Sequence, residues 1–289
     1  MCRTMVVLPR GSLGRVLQFL RQIGYPLHDP DERGCCGDYE GVRFCMRNRR
    51  LIPRLVAEGN FDGGITGRDL VIASGFVQKL RVLGEVRYSR ASTRPSKWVL
   101  ACKDGFPKPK NNEQPIRIGC EIPGVVDVKK LDGLPRGTPV EFVPIEGDEE
   151  QAIDDGLCDV VALVTETGNS LSREGLSIVG EVMESYPVLI AKKHLKFRQR
   201  EDMETVLLAL QAAVGAESKK IVTFDIRTMA LQKLTLPSAV SPTVSRLVKR
   251  GWAACQICID ANEVPGMLTM LKRGGAEAVL VQDVRGFLL

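Results

Sequence analysis

The chain has 289 residues, 44% of them hydrophobic and 26% charged, the length and balance of two or three globular domains with their own cores. No apolar run approaches the ~20 residues that span a bilayer, and the N-terminus lacks the basic region and long apolar stretch of a signal peptide, so a membrane partner is excluded and a cytoplasmic location is expected. The net charge of +5 favours anionic partners, but aromatics are only 5% and no basic–aromatic interleaving suited to base stacking occurs, which argues against nucleic acid.

Met5–Leu8 reads as a short strand. Leu13–Ile23 reads as a helix, with Leu13, Val16, Leu17 and Leu20 at helical spacing and Gly24 as its stop. Between them, Pro9-Arg10-Gly11-Ser12 is a strand-to-helix turn that carries a cation. Cys35-Cys36 falls in a polar, glycine-flanked loop and suggests no mechanism. Val42–Met46 is a strand, and Leu51–Glu58 a helix with Pro53 in its first turn, where proline is tolerated. Arg43, Arg47, Arg49, Arg50 and Arg54 concentrate charge around that junction, either as a solvated face or as the seat of a polyanionic small molecule. Phe61–Thr66 is a strand, and Gly67 and Arg68 open the next helix. This alternation predicts a parallel-rich α/β sheet.

Phe106–Gln114 is a Pro/Lys/Asn loop. A strand over Ile116–Cys120, a helix over Val125–Leu131 and a strand over Val140–Val143 follow. Gly147–Leu176 reads as helix, strand, loop, helix. Glu150, Ala152 and Ile153 start an apolar helical face, and Val160–Val164 is the unbroken apolar run of a strand buried on both faces. Thr167, Gly168 and Ser170 then place backbone N–H groups and two hydroxyls where a helix begins. That is an anion site with phosphate as the natural guest, although an ordinary capped turn uses the same residues. The region reads as a second lobe, with Val179–Val182 and Val188–Ala191 as strands returning to the first and Glu201–Val214 as a long amphipathic helix.

The last stretch gives strands over Lys220–Phe224, Thr243–Leu247, Trp252–Ile259 and Ala278–Val281, and helices over Thr228–Leu234 and Val264–Arg273. Their order, β-α-β-β-α-β, is ferredoxin-like. Cys255 and Cys258 lie within one strand, where positions three apart face opposite ways. No second pair at zinc spacing exists, so the nine cysteines read as reduced, structural thiols. Only two histidines occur, His28 and His194, both in polar connections. A histidine triad or histidine metal site is therefore not expected, and chemistry falls to carboxylates, cations and backbone donors.

Leu8-Pro-Arg-Gly-Ser-Leu13, Gly64-Ile-Thr-Gly-Arg-Asp-Leu70, the Glu150…Asp159…Thr167-Gly-Asn-Ser-Leu171 block, and Ser241-Pro-Thr-Val244 with Gly251-Trp-Ala253 run in this order to Asp283-Val-Arg285. Together they resemble the long form of ATP phosphoribosyltransferase. The resemblance implies an α/β fold of two periplasmic-binding-protein-like lobes (type II) around a central cleft, plus a C-terminal ferredoxin-like α+β domain. The expected divisions are residues 1–90 with 182–216, then 91–181 carrying the phosphate loop, then 217–289. It also implies magnesium-dependent displacement of pyrophosphate from phosphoribosyl pyrophosphate by N1 of the ATP adenine. Homo-oligomers (dimers and hexamers) and feedback inhibition by histidine come with it. Residue by residue, Arg10, Glu150 and Asp159 are the expected catalytic groups, Glu150 holding a ribose hydroxyl. Gly11, Ser12, Arg47, Arg49, Arg50, Thr66 and Gly67, with Glu166, Thr167, Gly168, Asn169, Ser170 and Leu171, form the expected phosphate and substrate surface. Asp225 and Thr243 are the effector-binding candidates, and no metal ligands are assigned.

The chain departs from the family pattern at several of these places. Arg10 stands where lysine is usual, keeping charge but changing donor geometry. Leu163 and Leu51 replace acidic residues, and Ser170 replaces a threonine. Glu166 brings a carboxylate beside the phosphate loop, where like charge repels, and Asp154 adds negative charge nearby. A paralogue using another phosphoribosyl acceptor and an inactive regulatory subunit therefore stand as alternatives.

Overall fold

The computed structural model describes residues 3–89, 95–103, 105, 107, 114–128, 131, 137–147, 151–165, 169–234, 236 and 242–288. The chain forms two compact units. The first comprises Met1–Gln18 and Pro26–Leu207, the second Phe19–Tyr25 and Leu208–Leu289.

The first unit holds two sheets. One is built from β1 (Thr4–Arg10), β2 (Cys35–Tyr39), β3 (Val42–Asn48), β4 (Gly63–Gly67), β5 (Leu80–Glu85) and β11 (Pro187–Lys192). Its order is β2-β3-β1-β4-β11-β5. β1 runs parallel to β3 and β4, while β11 is antiparallel to β4 and β5. Helix α1 (Arg15–Gln22) follows β1 in the chain. Val6, Val7 and Leu8 are fully buried; helices α2 (Ile52–Ala57) and α3 (Arg68–Ala73) accompany the parallel strands, and such strands bury both faces. At the sheet centre, a Cβ added to Gly64 would lie 2.4 Å from Val7 Cγ1. Only glycine lets β4 approach β1 so closely.

The second sheet contains β6 (Ser96–Cys102), β7 (Ile116–Cys120), β8 (Val140–Pro144), β9 (Val160–Thr165) and β10 (Ser177–Ser185), in the order β10-β6-β9-β7-β8. β7 is parallel to β8 and β9. Trp98, Leu100, Ile118, Val160 and Ala162 line one apolar cluster. Val99, Val161, Leu163 and Leu171 line another on the opposite face. Helix α4 (Asn169–Arg173) follows β9.

Three expectations are corrected here. Val179–Val182 does not return to the first sheet: it lies in β10, which pairs antiparallel with β6, and only β11 makes the return. Where a helix over Val125–Leu131 is expected, the described residues give a short 3-10 turn, Pro123–Val125, and non-helical residues 126 and 127; Pro123 and Gly124 suit a turn better than a helix interior. The helix expected to start at Glu150 is instead a run of turns over 151–156, since Gly156, at φ +68°, and the Asp154-Asp155 pair break it.

The second unit carries the C-terminal part of α5 (Phe197–Ala216), then β12 (Lys219–Arg227), α6 (Thr228–Leu231), β13 (Thr243–Arg246), β14 (Trp252–Asp260), α7 (Val264–Arg273) and β15 (Glu277–Asp283). The sheet order is β13-β14-β12-β15, antiparallel throughout, as the ferredoxin-like reading requires. Val222, Phe224, Ile226, Cys255 and Ile257 pack with Met267 and Leu271 of α7. In this period-2 pattern the alternate residues Thr223, Asp225 and Gln256 face the other way. Cys255 is buried and Cys258 partly so, on opposite faces of β14.

Candidate active site

The parallel strands β1, β3 and β4 end side by side, and each end carries polar chemistry. Such carboxyl ends are where open α/β sheets bind ligands. Arg10 closes β1, paired in register with Asn48. The chain then enters the 3-10 turn Gly11–Leu13, which needs Gly11 at φ +81°, a left-handed conformation that glycine adopts without strain. Tyr88 Oη donates to the Leu13 carbonyl at 2.9 Å and pins that turn; burial raises the phenol above its usual range, keeping it a donor. Arg10 itself is exposed.

β3 delivers Arg47, Arg49 and Arg50. Arg47 Nη1 donates to the Met46 carbonyl at 2.8 Å, and its guanidinium lies 5.8 Å from the Phe61 ring centre. Arg49 is half-buried; burial lowers its pKa, opposed by the charge of Asp69 and reinforced by Arg50. Arg50 is committed across the cleft to Glu121, after β7, and at 3.3 Å to Glu146, after β8. It ties the two sheets together. Leu51, half exposed, sits before α2 with no side-chain cap.

β4 ends in Thr66 and Gly67. Thr66 is fully buried and its Oγ1 donates to the Arg49 carbonyl at 3.0 Å, fixing the backbone that presents Arg49. Asp69, in the first turn of α3, was not among the sequence candidates. Its carboxylate accepts from Trp98 Nε1 at 2.9 Å and from Ser185 Oγ at 2.8 Å, joining α3 to β6 and β10. Asp69 does stand inside the Gly64–Leu70 motif, but Trp98 and Ser185 have no local signal, because 29 and 116 residues separate them from it.

Between these elements lies a cavity of about 280 Å³, lined among others by Arg49, Gly67, Asp69, Trp98, Leu163 and Thr165, near the ~300 Å³ lower end of small-molecule sites. Leu163 is also part of the apolar cluster with Val99, Val161 and Leu171. An ionised carboxylate there would be desolvated, so leucine suits this packing. On the far side, β9 ends at Thr165, and α4 starts at Asn169 with Leu171 fully buried. Glu150, Glu166, Thr167 and Gly168 lie outside the described residues, and for Ser12, Asn169 and Ser170 only the backbone is described.

Asp159 is not brought to this cavity. It precedes β9, at the opposite end of the strand from Thr165, roughly 20 Å away at ~3.3 Å per residue. Its carboxylate accepts from the Arg117 amide at 2.9 Å and from Nη2 at 2.9 Å, an inter-strand brace between β9 and β7. Asp154 is also neutralised locally, by an ion pair with Lys103. Among the described residues no three His, Cys, Asp or Glu side chains cluster as a metal cage. In the second unit Asp225 and Thr243 share the sheet face away from α7. Asp225 pairs with Ala254 and Thr243 with Gln256, which puts β14 between them.

Two sheets of this topology, with a ligand-sized cleft at their carboxyl ends, define a two-lobed α/β protein of the periplasmic-binding-protein type II class. The family model described as ATP phosphoribosyltransferase matches residues 49–212, and that described as HisG, C-terminal domain, matches residues 216–286. The ATP phosphoribosyltransferase of Nitratidesulfovibrio vulgaris Hildenborough is 32% identical over 281 residues, covering 94% of each chain. ATP phosphoribosyltransferase 1 of Geobacter sulfurreducens is 30% identical over 280 residues, again covering 94% of each. In fold, the chain is similar to the ATP phosphoribosyl transferase (HisG:HisZ) complex from Thermotoga maritima, with TM-score 0.59 and 22% identity over 72% of this chain and 96% of that one. The chain belongs to the ATP phosphoribosyltransferase family, in the long form with the C-terminal domain.

Proposed function

We propose that the chain joins N1 of the ATP adenine to C1 of phosphoribosyl pyrophosphate and releases pyrophosphate, the first step of histidine biosynthesis. The observation that carries this is the convergence of Arg10, Arg47 and Arg49 on one sheet edge in a chain of this family. As the N1–C1 bond forms, the C1–O bond breaks and its electron pair leaves with pyrophosphate, while the ribose gains oxocarbenium character. Fixed cations that neutralise the leaving group lower that barrier without a covalent nucleophile. Arg49 is the best placed, because its charge is held partly out of water. Arg10 and Arg47 supply further charge, and Arg50 holds the two sheets in position through Glu121 and Glu146. Asp159, braced by Arg117, has no part in this reading.

Magnesium fits this donor set as a substrate-borne ion. It is usually held by phosphate oxygens with one or two carboxylates, and the cleft carboxylates Asp69, Glu121 and Glu146 already have protein partners. The ion supplies charge neutralisation of pyrophosphate when bound. Purified protein given ATP, phosphoribosyl pyrophosphate and magnesium is expected to release pyrophosphate. Absence of release, with folded protein, would overturn the assignment.

The Thr167–Leu171 turn is proposed to cradle the 5-phosphate, on the strength of its hydroxyls and its place at the start of α4. Thr167→Val combined with Gly168→Pro is expected to abolish binding of phosphoribosyl pyrophosphate in calorimetry; unchanged affinity would refute the cradle. The C-terminal domain, residues 217–289, is proposed to bind histidine through Asp225 and Thr243 and to mediate homo-oligomerisation as dimers and hexamers. A ligand that binds only the folded state raises its melting point. Millimolar histidine is therefore expected to raise Tm and shift the assembly in size-exclusion chromatography, and no change in either leaves the domain without this effector role.

A further inference from the structure

Cys35 and Cys45 stand directly opposite each other on the antiparallel strands β2 and β3. Cys35 turns its backbone away from β3: its amide donates to Asp31 Oδ1 at 2.7 Å, and its carbonyl accepts from the Asp31 amide at 2.9 Å. The next ladder bond is Met46 N–H to the Gly34 carbonyl at 2.6 Å. The two cysteines are therefore a non-hydrogen-bonded pair, the position where opposite Cα atoms come to about 4.5 Å and side chains lie closest. That spacing falls within the range a disulfide spans. Both are free thiols, Cys45 buried and Cys35 partly exposed. Cys36, the neighbouring residue, is fully buried and lies in the register shift between Cys35 and Gly37.

We propose that Cys35 and Cys45 are a redox-modification site, a dithiol that closes to a cross-strand disulfide under peroxide and reopens under thiol reductant. The Cys35 thiolate attacks one peroxide oxygen; the O–O bond breaks, hydroxide leaves and takes up the thiol proton as water, and Cys35 becomes a sulfenic acid. The Cys45 sulfur then displaces that hydroxyl, which leaves with the Cys45 proton as a second water. Two electrons pass from the dithiol to one peroxide. Burial, followed by the neighbouring Cys35, pushes the Cys45 thiol up, which leaves the more accessible Cys35 to meet the oxidant first.

The site is coupled to the cations of the cleft. Arg47 follows Cys45 by two residues. A Cβ added at Gly34, the residue before Cys35, would lie 2.4 Å from Arg47 Nη1 and 3.0 Å from Arg10 Nη2. Both guanidinium groups thus lie against Gly34, next to Cys35, and the repacking that closes the Cys35–Cys45 bond is expected to shift them. Losing one hydrogen bond to a charged group weakens anion binding about tenfold, and this consequence rests on the function proposed above.

The test uses the full-length protein, reduced or treated with hydrogen peroxide. Trypsin separates residues 34–43 from 44–47, so a Cys35–Cys45 bond appears in mass spectrometry as these two peptides joined, two hydrogens lighter than their sum. The joined pair is expected in the wild type and in Cys36→Ser, reversed by dithiothreitol, and absent from Cys35→Ser. No joined pair, or one that persists in Cys35→Ser, overturns the site. Calorimetry with phosphoribosyl pyrophosphate is expected to show about tenfold weaker binding for oxidised wild type and no change for peroxide-treated Cys35→Ser. A disulfide with unchanged affinity overturns the coupling. Reduced wild type that fails to bind at all counts against the proposed function, while the peptide map still decides the disulfide.

Discussion

Arg49→Ala is expected to lower kcat/KM for pyrophosphate release by about 10²–10³, the scale of removing one preorganised charge-stabilising donor. The reason lies in its setting. Thr66 Oγ1 holds the Arg49 carbonyl, the side chain lines the cavity, and burial lowers its pKa, so its charge acts where water screens it least. A guanidinium also offers a fixed fork of donors to phosphate oxygens that an ammonium lacks. Arg49→Lys is therefore expected to recover only part of the loss. Steady-state kinetics on variants with unchanged Tm make the measurement. A kcat/KM for Arg49→Ala within about threefold of wild type would remove Arg49 from the proposed chemistry.

Asp62→Ala is expected to destabilise the first unit by about 2–4 kcal/mol, the cost of leaving several part-buried donors without their acceptor. Asp62 is 7% exposed. Its Oδ2 accepts from the Met5 amide at 2.8 Å. Its Oδ1 accepts from Gln199 Nε2 at 2.8 Å and pairs with Lys192. One carboxylate thus ties β1, β11 and the start of α5 together at the sheet edge opposite Arg10. Alanine leaves an ammonium, an amide and a backbone N–H without their acceptor. At about 2–4 °C per kcal/mol for a unit of this size, Tm is expected to fall by roughly 10 °C. Calorimetric unfolding checks it, and a fall of under about 2 °C would show that the hub is replaceable by water.

Local pattern was enough for much of the architecture. The apolar runs Met5–Leu8 and Val160–Val164 appear as β1 and β9 because a doubly buried strand needs an unbroken apolar sequence. Val264–Arg273 appears as α7 because Pro265 in its first turn and Gly274-Gly275 after it bound the helix at both ends. The β-α-β-β-α-β order of the C-terminal domain follows from the same short-range rules. That Arg10, Arg47, Arg49 and Thr66 stand at strand ends was equally legible, since each closes or follows an apolar run.

Two strands gave no such signal. β2, Cys-Cys-Gly-Asp-Tyr, has no apolar alternation, and β5 is a sheet edge with exposed Arg81 and Val82. β6 does carry the unbroken apolar run Trp98–Cys102, a strand signal not among the expected elements. Sequence by itself determined most strands and helices outside these segments and the two corrected helices, the family to which the chain belongs, and the cations offered at the strand ends. Tertiary structure alone decided that β10 stays with the second sheet, that Asp159 braces Arg117, that Arg50 closes on Glu121, and that Asp69 meets Trp98 and Ser185. Hydrophobic periodicity is written within a few neighbouring residues, whereas a carboxylate's partner is chosen by whichever donor the folded sheets bring within hydrogen-bond reach, tens to more than a hundred residues away.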